Sequence, residues 1–222
     1  MTMPTWVQPV ATQMLHGLGA TAEVAAVSIA ASVVLGLALG MLATLGDKML
    51  RLVIGAYIEL WRGLPVIVTL FFIFFALPAI ELTLPPIVAA EMAIVLWGSA
   101  NLAVLVRGAI ESIPRGQFEA AAAIGFSWPK RMVHIILPQA LRRLLPPALG
   151  IVVILIQLTT ISSLIGVHDF LGVARLSIER LTLTTGDTHA VPILGTVLIV
   201  YFAISNTLNA LSRWLERRLQ VQ

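Results

Sequence analysis

The chain has 222 residues, of which 59% are hydrophobic and only 11% charged, and it contains no cysteine. Its mean hydropathy of +0.97 is too high for a soluble domain, and the lack of cysteine excludes disulfides and thiolate metal sites. The formal net charge of +3 does not indicate a nucleic-acid-binding protein, because the basic residues are scattered at the ends of apolar segments.

Five apolar segments follow one another along the chain, each close to the ~20 residues that a membrane-spanning helix needs. They cover residues 22–45, 58–79, 86–106, 144–167 and 190–211. The connection 80–86 is short, whereas 168–189 is long enough to be helical in part. Residues 1–19 contain no Lys or Arg and so lack the basic start of a signal peptide. The pattern predicts an all-α polytopic membrane protein with about five transmembrane helices in a single domain, 1–222.

The basic residues orient these helices. If the amino terminus is outside, only Arg175 and Arg180 fall on the external side. The positive-inside rule then predicts an external amino terminus, an internal carboxyl terminus and a cytoplasmic loop at about 107–143. Glu59 and Arg62 are one turn apart and are expected to pair at the inner interface. The other twelve of the fourteen basic residues lie inside: Lys48, Arg51, Arg62, Arg107, Arg115, Lys130, Arg131, Arg142, Arg143, Arg213, Arg217 and Arg218.

The cytoplasmic loop contains a short Ala-rich segment between two helix-breaking residues. Pro114 ends the preceding helix, and residues 117–124 have high helix propensity. Glu119 is expected near the start of this helix, where a carboxylate suits the positive end of the dipole. Gly125 is placed where a helix ends in the left-handed conformation.

A second short helix is expected directly afterwards, with Ser127 as its cap and Pro138 at its end. The two helices would form a compact hairpin outside the bilayer. The small side chains of the first helix would allow a partner protein to approach its backbone closely. Taken alone, the helix is equally compatible with an ordinary cytoplasmic helix that has no partner.

The spacing of this loop resembles the EAA loop by which ABC importer permeases dock onto their ATPase subunits. The resemblance rests on Glu119-Ala120-Ala121, then Gly125, then Ile135-x-Leu137-Pro138. Resemblance to the polar amino acid branch of these permeases, which includes histidine, glutamine, glutamate, arginine and opine importers, extends from about Gly17 to Arg218. Its other motifs are Arg62-Gly63-Leu64-Pro65, Arg107-Gly108-Ala109-Ile110 and Leu137-Pro138-Gln139-Ala140-Leu141-Arg142.

The resemblance implies the type I importer permease fold with a cytoplasmic coupling-helix hairpin, in a bacterial inner membrane. It implies four further components: a second permease protomer, either identical or different; two ATPase subunits; an extracytoplasmic solute-binding protein; and membrane lipid. ATP and magnesium would bind the ATPase rather than this chain, which would not be an enzyme. Consistent with this, neither Lys48 nor Lys130 follows a glycine, so no Walker A loop is present. The residues implied in ATPase coupling are Gln117, Glu119, Ala120, Ala121, Ala123, Gly125 and Arg131.

The sequence departs from that branch where substrate would lie. Val104, Gln157 and Leu158 occupy positions that are commonly charged in the branch. A charge at the bilayer centre costs about 2.5–3.5 kcal/mol on insertion scales and therefore usually marks function. The remaining polar candidates for a substrate pathway are Asn101, Gln157, Thr159 and Thr160, which could equally hydrogen-bond helices together. The four histidines have no metal-ligand spacing.

Two other functions stay open at this point. One is a secondary transporter driven by an ion gradient, which would need carboxylates or broken helices within the membrane. The other is an ABC importer for a different small zwitterion, such as ectoine or an opine. The sequence favours a permease subunit for a polar amino acid.

Overall fold

A computed structural model describes residues 4–219, and every regular element among them is helical. This confirms the predicted all-α class. The helices are α1 (Val7–Leu45), α2 (Lys48–Gly63), α3 (Val66–Phe71), α4 (Pro86–Glu111), α5 (Arg115–Ala123), α6 (Trp128–Arg131), α7 (Leu137–Leu158), α8 (Phe170–Thr185) and α9 (Ala190–Leu219). Two π-helical turns, Phe72–Ala76 and Met132–Ile136, and two 3₁₀ segments, Leu77–Ile80 and Thr159–Ile165, complete the list.

Four helical stretches are long and apolar enough to cross a membrane. A fifth span is formed if α2 and the stretch Val66–Ile80, which are bent at a break, count as one, and the total then agrees with the predicted number of about five. The four are Val7–Thr44, Pro86–Glu111, Trp128–Ile165 and Ala190–Arg218. The first starts fifteen residues before the predicted segment 22–45; Pro9 does not prevent this, because it lies in the first turn of the helix, where proline is tolerated. The predicted connection 168–189 contains α8, as expected for a loop of that length.

The predicted second span, 58–79, is wrong as a single straight helix. It is replaced by α2 and the stretch Val66–Ile80, which meet at a sharp bend. Leu64 and Pro65 at the bend both have extended backbone angles. Proline disfavours a helical conformation in the residue before it and has no N–H for the preceding turn, so the helix cannot run through this point.

Each π-helical turn ends directly before a Leu-Pro pair. In both, the leucine N–H donates to the carbonyl five residues back: Leu77 to Phe72, and Leu137 to Met132. A proline in a helix clashes with the carbonyl four residues before it, and a widened turn gives that carbonyl room. The prediction that Pro138 ends a short helix is therefore wrong. Pro138 is the second residue of α7, which continues from α6 through the π turn.

The described residues form two compact units, with boundaries inside α1, α4, α7 and α9 and a fifth at the bend between Leu64 and Pro65. The first unit contains residues 4–29, Pro65–Val95 and Val153–Thr207. Its core joins the first half of α1 to α8 and α9 through side chains such as Met14, Phe170 and Ile193.

The second unit contains Ala30–Leu64, Leu96–Val152 and residues 208–219. Here α1 approaches α4 very closely at a Gly-x-x-x-Gly pair. A Cβ atom added to Gly36 would lie 2.5 Å from Cβ of Leu102, and one added to Gly40 would lie 2.5 Å from Cβ of Val106. Small residues at this spacing allow membrane helices to pack backbone to backbone.

Candidate coupling helix and substrate pathway

Helix α5 is the Ala-rich helix that the sequence predicts, and its end is defined by backbone hydrogen bonds. The N–H of Gly125 donates to the carbonyl of Ala122, and the N–H of Phe126 donates to that of Ala121. Gly125 has a φ of +85°, so the pair of bonds is a Schellman motif. The predicted left-handed glycine is confirmed. The helix begins at Arg115 rather than 117, directly after Pro114, so Glu119 is in its middle and not beside the positive end of the dipole.

The two faces of α5 differ sharply. Ala121 is only 1% exposed, and Phe118 packs against the core of the second unit. The remaining predicted coupling residues of this helix are exposed: Gln117, Glu119, Ala120 and Ala123. The burial of Ala121 means that it positions the helix on its own chain and cannot itself form the surface that a partner contacts.

The segment after α5 adds exposed apolar side chains to this surface. Ile124 is 67% exposed and Trp128 47% exposed. Arg131 folds back across this segment, and its Nε donates to the carbonyl of Phe126 at 3.0 Å. Ser127 occupies the cap position of α6 but makes no side-chain cap hydrogen bond. Arg131 therefore fixes the loop between the two helices of the hairpin.

Two side-chain contacts connect the start of the hairpin to α7. Nε2 of Gln139 donates to Oε1 of Gln117 at 3.4 Å, and also to the carbonyl of Ile135 at 2.9 Å. Ser112 is the first residue after α4. Its carbonyl and hydroxyl oxygens both accept hydrogen bonds from Nη1 of Arg143. Displacement of α5 would consequently be transmitted to α7.

Asn101 lies in the second unit and contacts Arg62, which was expected from the sequence to pair with Glu59 at the inner interface. Nδ2 of Asn101 donates to the carbonyl of Trp97 at 2.9 Å, and Oδ1 accepts from Nε of Arg62 at 3.2 Å. The expected ion pair between Arg62 and Glu59 is absent from the described residues, because the guanidinium turns to α4 instead. One feature of the sequence could have indicated that Arg62 is unusual. It lies inside the apolar segment 58–79, just before the helix-breaking Leu64-Pro65.

The other three pathway candidates lie in the first unit. Nε2 of Gln157 donates to Oγ of Ser205 in α9 at 3.2 Å. Thr159 is fully buried and donates to the carbonyl of Ile156 within its own helical path. Thr160 likewise donates to the carbonyl of Gln157. Only the contact of Gln157 joins two helices, which was the alternative interpretation of these positions; the two threonine hydroxyls bond within their own helical path.

A buried carboxylate at the start of α8 was not foreseen from the sequence. Oδ1 of Asp169 accepts from the N–H of Gly172 at 2.9 Å and caps the helix. Oδ2 is buried without a hydrogen-bond partner, and the whole residue is 0% exposed. Burial raises the pKa of the Asp169 carboxyl to about 6. The following N–H, that of Phe170, donates to Oγ1 of Thr21 in α1 at 2.9 Å.

Comparison with known protein families identifies the family of this chain. Residues 32–221 match the family described as the inner membrane component of binding-protein-dependent transport systems. The chain belongs to this family. The prediction of an importer permease subunit is thereby confirmed, and with it a multi-pass location in the inner membrane.

Named relatives match over nearly the whole chain. The glutamine transport system permease protein GlnP of Escherichia coli is 33% identical over 210 residues, which are 94% of this chain and 93% of GlnP. A probable glutamine ABC transporter permease protein of Bacillus subtilis is 32% identical over 202 residues, which are 91% of this chain and 91% of that protein.

Solved structures confirm the predicted type I permease fold. An amino acid ABC transporter crystallised with histidines superposes with a TM-score of 0.85 at 26% identity, covering 98% of this chain and all of that chain. The MetNI methionine ABC transporter in an inward-facing conformation superposes with a TM-score of 0.79 at 20% identity over the full length of both chains. The second likeness concerns the fold alone.

Proposed function

We propose that this permease imports a polar amino acid, as one protomer of a pair above two ATPase subunits, with an extracytoplasmic binding protein delivering the solute. The glutamine permease relatives and the amino acid transporter support this substrate class. ATP and magnesium bind the ATPase subunits, and this chain supplies the pathway and the coupling element.

The observation that carries the proposal is the construction of α5. Its buried side is fixed to its own chain by Phe118 and Ala121, and its outer side presents Glu119, Ala120 and Ala123. Methyl-sized side chains on the outer side allow another protein to approach the helix backbone. The contacts of Gln117 and Ser112 with α7 then link that surface to a helix of the membrane region.

In this arrangement, closure of the ATPases moves α5, and α5 moves α7 as a connected body. Alternating access follows from such rigid movements without any chemistry in the permease itself. The distribution of basic residues favours an external amino terminus and an internal carboxyl terminus, which places α5 on the cytoplasmic side with the ATPases.

Reconstitution tests the function. The permease would be incorporated into liposomes with an ABC ATPase and a solute-binding protein from the same genome, and uptake of labelled glutamine, glutamate, histidine, arginine and methionine would be measured. We expect uptake of at least one of them only when ATP and the binding protein are both present. Uptake driven by an ion gradient without the ATPase would overturn the proposal.

Cross-linking tests the docking surface, and the chain offers a cysteine-free background. We expect Ala120→Cys and Ala123→Cys to cross-link to the ATPase. Ala121→Cys is the matched control, because the same substitution there is buried and should stay unlinked. Equal cross-linking at all three positions would contradict the assigned faces of α5.

A further inference from the structure

One arginine of the second unit lies deeper in the membrane region than the inner interface that the sequence predicts for it. Arg62 is in the last turn of α2, and its Nε donates to Oδ1 of Asn101 at 3.2 Å. Helix α4 runs from Pro86 to Glu111, and its apolar span covers 86–106, so Asn101 lies about 7–8 Å to the cytoplasmic side of the middle of that span. For a membrane-spanning α4, the guanidinium therefore contacts the helix within the hydrocarbon region, between its centre and its inner boundary.

The amide of Asn101 is oriented so that it presents an acceptor to this arginine. Its Nδ2 is held by the carbonyl of Trp97 at 2.9 Å, which leaves Oδ1 facing Arg62. One turn earlier in α2, the hydroxyls of Tyr57 and Ser99 are 2.8 Å apart. Since Ser99 also donates to a carbonyl of its own helix, Tyr57 is the donor between the two hydroxyls. Two hydrogen bonds thus hold α2 against α4 and fix the position of Arg62.

The charge of Arg62 is not compensated by any described residue. Neither Nη1 nor Nη2 has an acceptor within hydrogen-bonding distance, no carboxylate pairs with the side chain, and the residue is exposed. An arginine within the hydrocarbon region is disfavoured against lipid; such residues face the bundle interior or a water-filled cavity, pair with another group, and often mark a substrate pathway. In addition, the helix breaks directly after Arg62, at Leu64 and Pro65, and broken helices form the substrate sites of many transporters.

We propose that Arg62 binds the carboxylate of the transported solute and that Asn101 is its positioning residue. The inference rests on the proposed function, since it concerns the site through which the amino acid passes. Asn101 occupies Nε, which leaves the edge formed by Nη1 and Nη2 for two parallel hydrogen bonds to the carboxylate oxygens. The site therefore recognises a group that every amino acid carries, and it does not need the branch-typical charges that Val104, Gln157 and Leu158 replace.

Equilibrium binding to the purified permease–ATPase complex, without the binding protein, tests this assignment. The probe is the labelled amino acid that gives the highest uptake in the reconstituted transporter, and the competitor is its α-amide, which lacks the carboxylate. We expect Arg62→Gln to raise the Kd more than tenfold and to remove the preference for the acid over the amide. Arg62→Lys should keep part of that preference, because it retains the charge without the planar pair of donors.

Two further variants separate binding from architecture. Asn101→Asp should weaken binding more than Asn101→Ala, because a carboxylate at that place would pair with Arg62 and compete with the solute. A merely structural role of Asn101 predicts the reverse order, since aspartate keeps an acceptor for Arg62. Arg107→Gln is the matched control; it removes an exposed arginine near the end of the same α4, where Arg107 pairs with Glu111, and it should bind like the wild type.

Co-purification of the ATPase subunit reports whether each variant assembles. If Arg62→Gln does not assemble, the Asn101 pair carries the test. A wild-type Kd and an undiminished preference for the acid in Arg62→Gln would overturn the inference while ATP-dependent uptake by the wild type still stood. Absence of ATP-dependent uptake in the wild type would instead overturn the proposed function.

Discussion

Arg143 of α7 donates hydrogen bonds to both the carbonyl and the hydroxyl oxygen of Ser112, thirty-one residues earlier in the chain. Ser112 lies between the end of α4 and the start of α5. The contact therefore joins three elements at one point: the helix that carries Asn101, the proposed ATPase contact and the long proline-containing helix. A movement of α5 that left α7 in place would have to break it.

Loss of this contact should reduce coupling more than stability. We expect Arg143→Ala to lower the solute transported per ATP hydrolysed severalfold, because about 1–2 kcal/mol of hydrogen bonding between α7 and the hairpin is removed. Arg142→Ala is the control; it removes the same charge from the adjacent exposed position and should keep the wild-type ratio. The measurement is simultaneous uptake and ATPase activity in liposomes, and an unchanged ratio in Arg143→Ala would contradict the role of the contact.

The left-handed glycine at the end of α5 gives a second prediction. Gly125 has a φ of +85°, and no atom beyond those of Gly125 and its two chain neighbours lies within 4 Å of the place where a Cβ would be. A side chain there is disfavoured by the backbone conformation alone. Gly125→Val should cost at least about 1–2 kcal/mol locally and uncouple ATP hydrolysis from transport. Gly125→Asn should remain coupled, because asparagine tolerates the left-handed region. Equal coupling in both variants would show that the turn is not needed.

The sequence was sufficient for features that depend on a single residue's chemistry. Glycine is the residue that most readily adopts the conformation at the end of α5, and proline interrupts the helices at Pro65 and Pro114, although α7 continues through its own prolines. The prediction for Pro138 was wrong because a local rule treats proline as a helix end. The chain instead widens the preceding turn and continues the helix into α7.

Features that depend on packing between distant segments could not be predicted from the sequence. Hydropathy counts Arg62 as a charge near a span end, whereas its partner Asn101 is thirty-nine residues away and near the middle of α4. The burial of Asp169 depends on α1, where a Cβ on Gly17 would lie 2.9 Å from the carbonyl oxygen of Asp169. The sequence around Arg62 indicates at most that its position is unusual, and no local pattern identifies the partner of either residue.

The direction of the termini is testable with single cysteines. Thr83, in the connection between the 3₁₀ segment and α4, and Lys130, in α6, are both exposed. We expect Thr83→Cys to react with a membrane-impermeant maleimide from outside intact cells. Lys130→Cys should react only after the cells are opened, and the parent chain, which has no cysteine, controls for background. The reverse pattern would contradict an external amino terminus.

The carboxylate of Asp169 should make stability depend on pH. Burial raises its pKa to about 6 from an ordinary value of 3.8, so the folded state binds this proton more tightly than the unfolded state. The contribution of Asp169 to the free energy of unfolding is therefore most favourable when the carboxyl is protonated. It decreases as the pH rises from about 4 to about 6 and stays lower above that. The loss amounts to about 2–3 kcal/mol.

Asp169→Asn isolates this effect, because an asparagine oxygen can still cap α8 at Gly172 but cannot ionise. We expect the thermal unfolding temperature of the wild type in detergent to fall between pH 5 and pH 7.5, and that of Asp169→Asn to fall less. Asp47→Asn is the matched control, since Asp47 caps α2 through Leu50 in the same way but is exposed. It should retain the pH dependence of the wild type. If Asp169→Asn also retained the wild-type pH dependence of the unfolding temperature, the Asp169 carboxylate would not be the source of that dependence.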